Sequence, residues 1–250
     1  CRFYLANPAQ GPSEYERGHI PTAKYFSLED DLTGASGPGR HPLPDPTEFV
    51  DRLRQRGIGN EHTVIIYDDG SSTSAARMWW MLRSLGHQRV AVLDGGWTAW
   101  SSEPRSVTSE VPVWEPAELK LAVQWSGTAT GDEVAAAQGL LLVDSRAPAR
   151  YRGDEELIDP VAGHIPGAVN VPYQDNNAEG GLFLAQEDLK QRFAMITQES
   201  DVVFYCGSGI TACNNILAAE VAGYSNTLLY EGSWSDWCAR GGEVATSGTS

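Results

Sequence analysis

The feature that most constrains this chain is that it repeats itself. Gly18-His19-Ile20-Pro21-Thr22-Ala23 recurs as Gly163-His164-Ile165-Pro166-Gly167-Ala168. Val64-Ile65-Ile66-Tyr67 recurs as Val202-Val203-Phe204-Tyr205, and Gly95-Gly96-Trp97-Thr98-Ala99-Trp100 as Gly232-Ser233-Trp234-Ser235-Asp236-Trp237. The order is kept and the displacements are close: 145 residues (18 to 163), 138 (64 to 202) and 137 (95 to 232). A chain of 250 residues patterned this way holds two copies of one unit of about 130 residues, a common domain size. The copies are expected at 1–102 and 125–250, with the proline-bearing stretch 103–124 as a linker.

Within each copy, short β-branched runs alternate with helical stretches. The second copy predicts strands over Leu140–Val143, Val169–Val171, Val202–Tyr205 and Thr227–Tyr230. Its helices are expected around Asp132–Gln138 and over Gln186–Phe193, Thr211–Ala222 and Ser235–Arg240. The first copy predicts strands over Val64–Tyr67 and Val90–Leu93 and a helix over Ala75–Leu85. Such alternation implies an α/β fold, each copy a mainly parallel sheet with helices on both faces. Cys1-Arg2 falls where Ser145-Arg146 falls, so the first copy is expected to lack the opening helix and strand of its twin.

Composition narrows the function classes. The 18 Lys+Arg stand against 33 Asp+Glu, a net charge of -15, and nucleic-acid affinity rests mainly on basic groups. A nucleic-acid partner is therefore not expected. No apolar run approaches the ~20 residues that cross a bilayer, and no signal peptide is visible, so no membrane association is expected. The four cysteines, Cys1, Cys206, Cys213 and Cys238, are not spaced as CxxC, which argues against a zinc site or a disulfide scaffold. A reducing, cytoplasmic setting fits.

In parallel sheets, sites lie just past the carboxyl ends of strands. The run Val202–Tyr205 is followed there by Cys206-Gly207-Ser208-Gly209-Ile210-Thr211 and then a helix. A cysteine before a helix N-terminus meets unpaired backbone N–H groups and the positive end of the helix dipole. Both favour a thiolate nucleophile, and two glycines let the backbone close around the sulfur. In the first copy Tyr67-Asp68 stands where the second has Tyr205-Cys206, so the first copy is expected to be chemically silent.

Asp144-Ser145-Arg146, Gly163–Ala168, Cys206–Cys213 and Gly232–Trp237 together resemble the tandem-domain rhodaneses, the thiosulfate and 3-mercaptopyruvate sulfurtransferases. The resemblance covers nearly the whole chain and implies that no metal or organic cofactor is needed. It implies two rhodanese-like domains, the first inactive, and a double displacement: Cys206 takes sulfane sulfur from a small-molecule donor and passes it, as a persulfide, to a thiophilic acceptor such as cyanide or a thiol. The implied substrate-binding residues are Arg150, Gly207, Ser208, Gly209, Ile210 and Thr211, with Asp144 and His19 as possible supporting residues. Asp144 is expected to orient the loop or Arg150. A monomer or weak dimer is expected. The neutral Gly207-Ser208 pair resembles the mercaptopyruvate type, whose serine hydroxyl aids proton movement or orients the substrate. Enzymes of that type also carry a second arginine about nine residues after the first, where this chain has Leu157-Ile158-Asp159. Thiosulfate therefore stays open as donor.

Two other readings compete. A Cys-x5-Arg phosphatase needs an arginine at 212, which is Ala212 here. A non-catalytic sulfur-binding or interaction module would fit the first copy alone, but not the Cys206 loop. His164 reads as a turn histidine, the Trp97/Trp100 and Trp234/Trp237 pairs as packing, Cys213 as buried structure and Cys238 as incidental.

Overall fold

The short apolar runs and helical stretches alternate in space as they do in sequence. The computed structural model describes residues 4, 7, 9–136, 139–178, 180–197 and 201–246. In the first half it gives α1 (Gln10–Arg17), α2 (Pro46–Gln55), β1 (Val64–Ile66), α3 (Thr73–Ser84), β2 (Val90–Val92) and α4 (Gly96–Ser102). In the second half it gives α5 (Gly131–Ala136), β3 (Leu141–Asp144), α6 (Pro148–Arg152), β4 (Val169–Asn170), a 3-10 turn (Tyr173–Asn176), α7 (Gln186–Arg192), β5 (Val202–Tyr205), α8 (Thr211–Ala222), β6 (Thr227–Leu229) and α9 (Ser233–Ala239). Two compact units result. The first comprises Cys1–Ala35, Leu43–Ser126 and Glu179–Leu182, the second Ser36–Pro42, Gly127–Ala178 and Phe183–Ser250. Each unit thus includes a short segment from the other half of the sequence.

The second unit is built on a parallel sheet of order β4-β3-β5-β6, in the register Leu141↔Val202, Val202↔Thr227 and Val143↔Val169. All four residues of β5 are buried, because a central parallel strand is covered on both faces. On one face Val203 and Tyr205 pack with Leu142, Val134, Trp234 and Trp237. The alternate residue Phe204 meets Phe193 edge-on, ring centroids 6.1 Å apart. Strand order reverses between β3 and β5, the position in α/β sheets where a crevice opens past the strand ends. Asp144-Ser145 ends one of these strands and Tyr205-Cys206 the other.

Helix α8 is buried along nearly its whole length, as an all-round apolar helix must be. Its buried polar side chains, Asn214 and Asn215, are hydrogen-bonded. Asn176 donates to Asn214 Oδ1 (2.9 Å) and Asn215 Oδ1 (2.6 Å), and Asn215 Nδ2 donates to Ser145 Oγ (2.8 Å) and the Val171 carbonyl (2.7 Å). This network ties α8 to the carboxyl end of β3.

In the first unit β1 and β2 pair in parallel, Val64↔Val90 to Ile66↔Val92. Among the described residues β1 has no strand on its other side, whereas β5 has β3 and β6. Instead, Val64–Ile66 line a cavity of about 670 Å³ with Pro21, Ala23, Phe26 and Trp100. Cys1-Arg2, on which the expected loss of the first copy's opening helix and strand was aligned, lies outside the described residues, as does Gln138 of the expected opening helix of the second copy.

Element ends differ from expectation by one or two residues. β3 runs on to Asp144, whose backbone pairs with Tyr205, and α9 starts at Ser233 rather than Ser235 because Ser233 itself makes the turn at φ 53°. The stretch 103–124 has no regular helix or strand beyond the end of α4, but it is hydrogen-bonded along the first unit, Ala117 N–H to the Arg54 carbonyl (3.0 Å) and Ala122 N–H to the Leu85 carbonyl (3.0 Å).

Asn215→Ala leaves two buried acceptors unpaired, and each such loss costs about 1–3 kcal/mol. The expected outcome is a lower denaturant midpoint with an unchanged slope, measured by urea unfolding.

Candidate active site

The site grows from the turn between β5 and α8. Cys206 is 2% exposed, and the Gly209 N–H donates to its Sγ at 3.1 Å. Gly209 reaches this geometry at φ 78°, a left-handed conformation that favours glycine. The Cys206 N–H donates to Ser233 Oγ (3.1 Å), whose hydroxyl donates to the Tyr230 carbonyl (2.8 Å). The amides of Trp234 and Ser235 then close on the Cys206 carbonyl (2.9 Å) and the Gly207 carbonyl (3.0 Å). Ser233 holds a positive φ that a non-glycine residue adopts only under constraint. It is fully buried and supports the cysteine backbone from the next strand-helix turn.

The same architecture occupies the first unit with different chemistry. Trp97 N–H meets the Asp68 carbonyl (2.8 Å) and Thr98 N–H the Asp69 carbonyl (3.2 Å), matching Trp234 and Ser235. Here the turn's inward amides are taken by Asp68 itself. Its Oδ1 accepts from Gly70 N (3.0 Å) and Ser72 N (2.9 Å), its Oδ2 from Ala75 N (3.2 Å) and Ser74 Oγ (3.4 Å). The turn after the strand presents backbone N–H groups in both units; in one they meet the Asp68 carboxylate, in the other the Gly209 N–H meets the Cys206 sulfur.

Beside the Cys206 loop lies a cluster of arginines and carboxylates. Arg150 donates through Nε and Nη2 to Glu156 (3.0 and 2.8 Å) and through Nη2 to Asp159 Oδ2 (3.0 Å). A Cβ placed on Gly207 would lie 3.5 Å from Arg150 Nη1, so the remaining nitrogen faces the loop. Asp144 is fully buried and grips Arg146, accepting from its Nε (3.0 Å), Nη2 (2.7 Å) and backbone N–H (2.9 Å). Arg146 lies over the Trp234 ring, 4.6 Å from its centroid, and reaches the Gly163 carbonyl (2.6 Å). Asp144 therefore holds Arg146, not Arg150: only Ser145 separates the strand end from Arg146, and Arg150 is oriented by Glu156 and Asp159 instead.

Of the other expected residues, Ser208 is buried and its Oγ lies 2.7 Å from His41 Nδ1. Ile210 is buried ahead of α8, and Thr211 opens the helix. His19 is engaged by its own unit. It is completely buried, stacked on Tyr15 at 3.9 Å, with Nδ1 2.8 Å from the Tyr15 carbonyl and Nε2 3.1 Å from that of Glu110. His164 repeats this arrangement on Tyr151, stacked at 3.7 Å with Nδ1 2.7 Å from the Tyr151 carbonyl. Both histidines lock a turn. Cys213 is buried, its thiol donating to the Gly209 carbonyl (3.3 Å), and burial pushes the half-buried Cys238 thiol up. Ala212 is buried and brings no guanidinium to the loop.

Sequence reasoning overlooked Arg40, His41, Glu156 and Ser233. Arg40 and His41 belong to the Ser36–Pro42 segment that joins the second unit, far from Cys206 in sequence and without periodicity. The available signal was Gly37-Pro38-Gly39. Gly39 has φ 75°, and a Cβ there would run into the Gly232 carbonyl. Glu156 is a hub whose Oε1 also accepts from the Ile158 and Asp159 N–H groups (3.0 Å each). Burial raises its pKa, but those amides and Arg150 outweigh burial and hold the carboxyl below its usual value of 4.5. A depressed folded-state pKa contributes stability above the unfolded pKa that is lost as pH falls through the folded one. Stability of the wild type is thus expected to fall more steeply below pH 4.5 than that of Glu156→Gln, as read by thermal unfolding across pH.

Comparison with known proteins follows the same division. The rhodanese-like domain matches residues 9–103 and again 130–240. A Pseudomonas aeruginosa protein named probable 3-mercaptopyruvate sulfurtransferase is 41% identical over 95% of this chain and 87% of its own length. The thiosulfate sulfurtransferase of Rattus norvegicus is 36% identical over 95% of this chain and 83% of its own. Among solved structures, 3-mercaptopyruvate sulfurtransferase from Leishmania major is 29% identical with a TM-score of 0.87, covering 96% of this chain and 69% of that one.

Proposed function

Because this chain belongs to the rhodanese family, as its two matched domains and its curated relatives show, we propose that it is a sulfurtransferase working through a persulfide on Cys206. The observation that carries the reading is the hydrogen bond from Gly209 N–H to Cys206 Sγ (3.1 Å), in a turn whose twin holds the anion of Asp68. A cradle that accepts a carboxylate also accepts a thiolate and, one atom further out, the terminal sulfur of a persulfide.

In the first half-reaction the Cys206 thiolate attacks the sulfane sulfur of the donor. With thiosulfate the S–S bond breaks and sulfite leaves with the electron pair. With 3-mercaptopyruvate the C–S bond breaks, and the departing enolate needs a proton to become pyruvate. In the second half-reaction the acceptor attacks the outer sulfur and returns Cys206 to the thiolate; cyanide leaves as thiocyanate. Small-molecule donor and acceptor suffice, a monomer or weak dimer can act, and the reducing cytoplasm suits a free thiol.

The Ser208–His41 pair (2.7 Å) favours 3-mercaptopyruvate over thiosulfate. A hydroxyl backed by an imidazole can deliver the proton that an enolate requires and that sulfite does not. The test is a cyanide-acceptor assay with both donors. Cys206→Ser is expected to abolish thiocyanate formation from either, and donor treatment of the wild type should add the mass of one sulfur atom to the Cys206 peptide. Ser208→Ala is expected to lower kcat with 3-mercaptopyruvate by about 100-fold, the lower range for general acid catalysis, and to affect thiosulfate far less. Unmodified Cys206 after exposure to both donors would overturn the reading.

A further inference from the structure

Position 233 breaks the internal repeat at a corner of the Cys206 turn. Gly232-Ser233-Trp234 stands where the first copy has Gly95-Gly96-Trp97. Ser233 and Gly96 both hold φ 53°, a left-handed conformation that glycine adopts freely and serine only under strain. The next residue behaves alike in both copies. Its amide bonds the carbonyl of Asp68 in the first unit (Trp97, 2.8 Å) and of Cys206 in the second (Trp234, 2.9 Å). The contents of the corner differ. A Cβ on Gly96 would lie 2.5 Å from the Asp68 carbonyl oxygen and 2.9 Å from the Gly70 nitrogen, so the first unit's turn is closed to a side chain there. The second unit's turn admits one. Ser233 is fully buried, its Oγ accepts from the Cys206 N–H (3.1 Å), and its hydroxyl donates to the Tyr230 carbonyl (2.8 Å). In the first unit the carbonyl of Leu93, the counterpart of Tyr230, accepts from the Gly96 backbone N–H (3.0 Å).

Resting on the sulfurtransferase reading, we propose that Ser233 is a positioning residue for the nucleophile: its hydroxyl bridges the Cys206 N–H to the Tyr230 carbonyl, wedges the turn open, and so fixes where the Cys206 sulfur stands against the Gly209 amide. Gly96 meets the same φ without strain, so the backbone alone does not call for a serine at this corner. The hydroxyl is what glycine cannot supply. It gives the buried Cys206 N–H an acceptor, and it ties the end of β5 to the end of β6. Cys206 is thereby held at both ends, its nitrogen by Ser233 (3.1 Å) and its sulfur by the Gly209 N–H (3.1 Å). Ser233 acts through the Cys206 backbone and not on the donor. Its loss therefore bears on the rate of sulfur capture, while donor binding is kept.

The test compares Ser233→Ala with Ser233→Gly in the full chain. Both lose the hydroxyl, but Ser233→Ala keeps the left-handed strain and Ser233→Gly relieves it. Urea unfolding should therefore place the Ser233→Gly midpoint above that of Ser233→Ala. Sulfur loading of Cys206 should not follow that order. It is read as mass gain in single turnovers over a range of 3-mercaptopyruvate concentrations. In both variants the saturating rate is expected to fall about tenfold, the rate equivalent of one hydrogen bond, while the donor concentration at half-maximal rate stays within about twofold. Iodoacetamide alkylation of the Cys206 peptide should slow by a similar factor, since it needs the same sulfur position and no donor site. A wild-type loading rate in Ser233→Gly would make Ser233 a purely structural residue and overturn the proposal, as would an unchanged saturating rate with weaker donor binding in both variants. If the wild type gains no sulfur from 3-mercaptopyruvate or thiosulfate, yet both variants slow iodoacetamide about tenfold, the sulfurtransferase reading fails and the positioning role stands.

Discussion

A buried strand-to-helix turn leaves backbone N–H groups pointing inward, and buried donors must find a partner. That requirement shapes both units. In the first, four donors converge on the two oxygens of Asp68, a full set of partners that leaves no place for a second atom. In the second, the corresponding position carries sulfur, a weaker acceptor, with the Gly209 amide against it. The two turns share a strand-to-helix architecture and differ in sequence and in what fills them, the carboxylate of Asp68 in one and the sulfur of Cys206 in the other.

The second dependence is the buried charge cluster beside that turn. Asp144 and Arg146 are both essentially inaccessible, and the guanidinium also stacks on Trp234 and bonds the Gly163 carbonyl. Removing either partner of such a pair typically costs about 3–5 kcal/mol, because the survivor stays charged and unpaired. The pair thereby pins the end of β3 to α9 and to the His164 turn. Glu156 continues the chain from Arg146 to Arg150, and Asp159 from Arg150 to Arg40. Orientation passes from the sheet to the guanidiniums facing Gly207 through a row of contacts, each of which satisfies a buried charge.

The repeat, the parallel sheet and Cys206 were legible because each rests on local pattern: a recurring string, a fully apolar run, a glycine-rich turn between strand and helix. Arg150 was legible by its offset from Asp144, although its partners were not. Asp144 and Glu156 compete for nearby arginines, and only the geometry of the α6 turn decides that Asp144 takes Arg146. Arg40 and His41 were not legible, since nothing in a loop near residue 40 states that it will dock beside residue 207. His19 misled for the opposite reason. A histidine in a repeated motif looks chemical, but Tyr15 stacking and two backbone carbonyls use its whole ring.

Comparing the copies separates what serves the fold from what serves the chemistry. Features kept in both are structural: His19 and His164 on their tyrosines, and Tyr67 and Tyr205, whose hydroxyls accept from Ile20 and Ile165 N–H at 3.2 Å each. The left-handed residue of the turn is likewise kept, Thr22 (φ 72°) in one copy and Gly167 (φ 82°) in the other. Ser36–Pro42 brings Arg40 and His41 to the second unit, while the segment given to the first ends in Gly180-Gly181-Leu182, which offers only backbone and an apolar side chain near Gly70 and Gly95. The exchange is unequal in side chains: the second unit gains an arginine and a histidine, while Gly180, Gly181 and Leu182 go to the first.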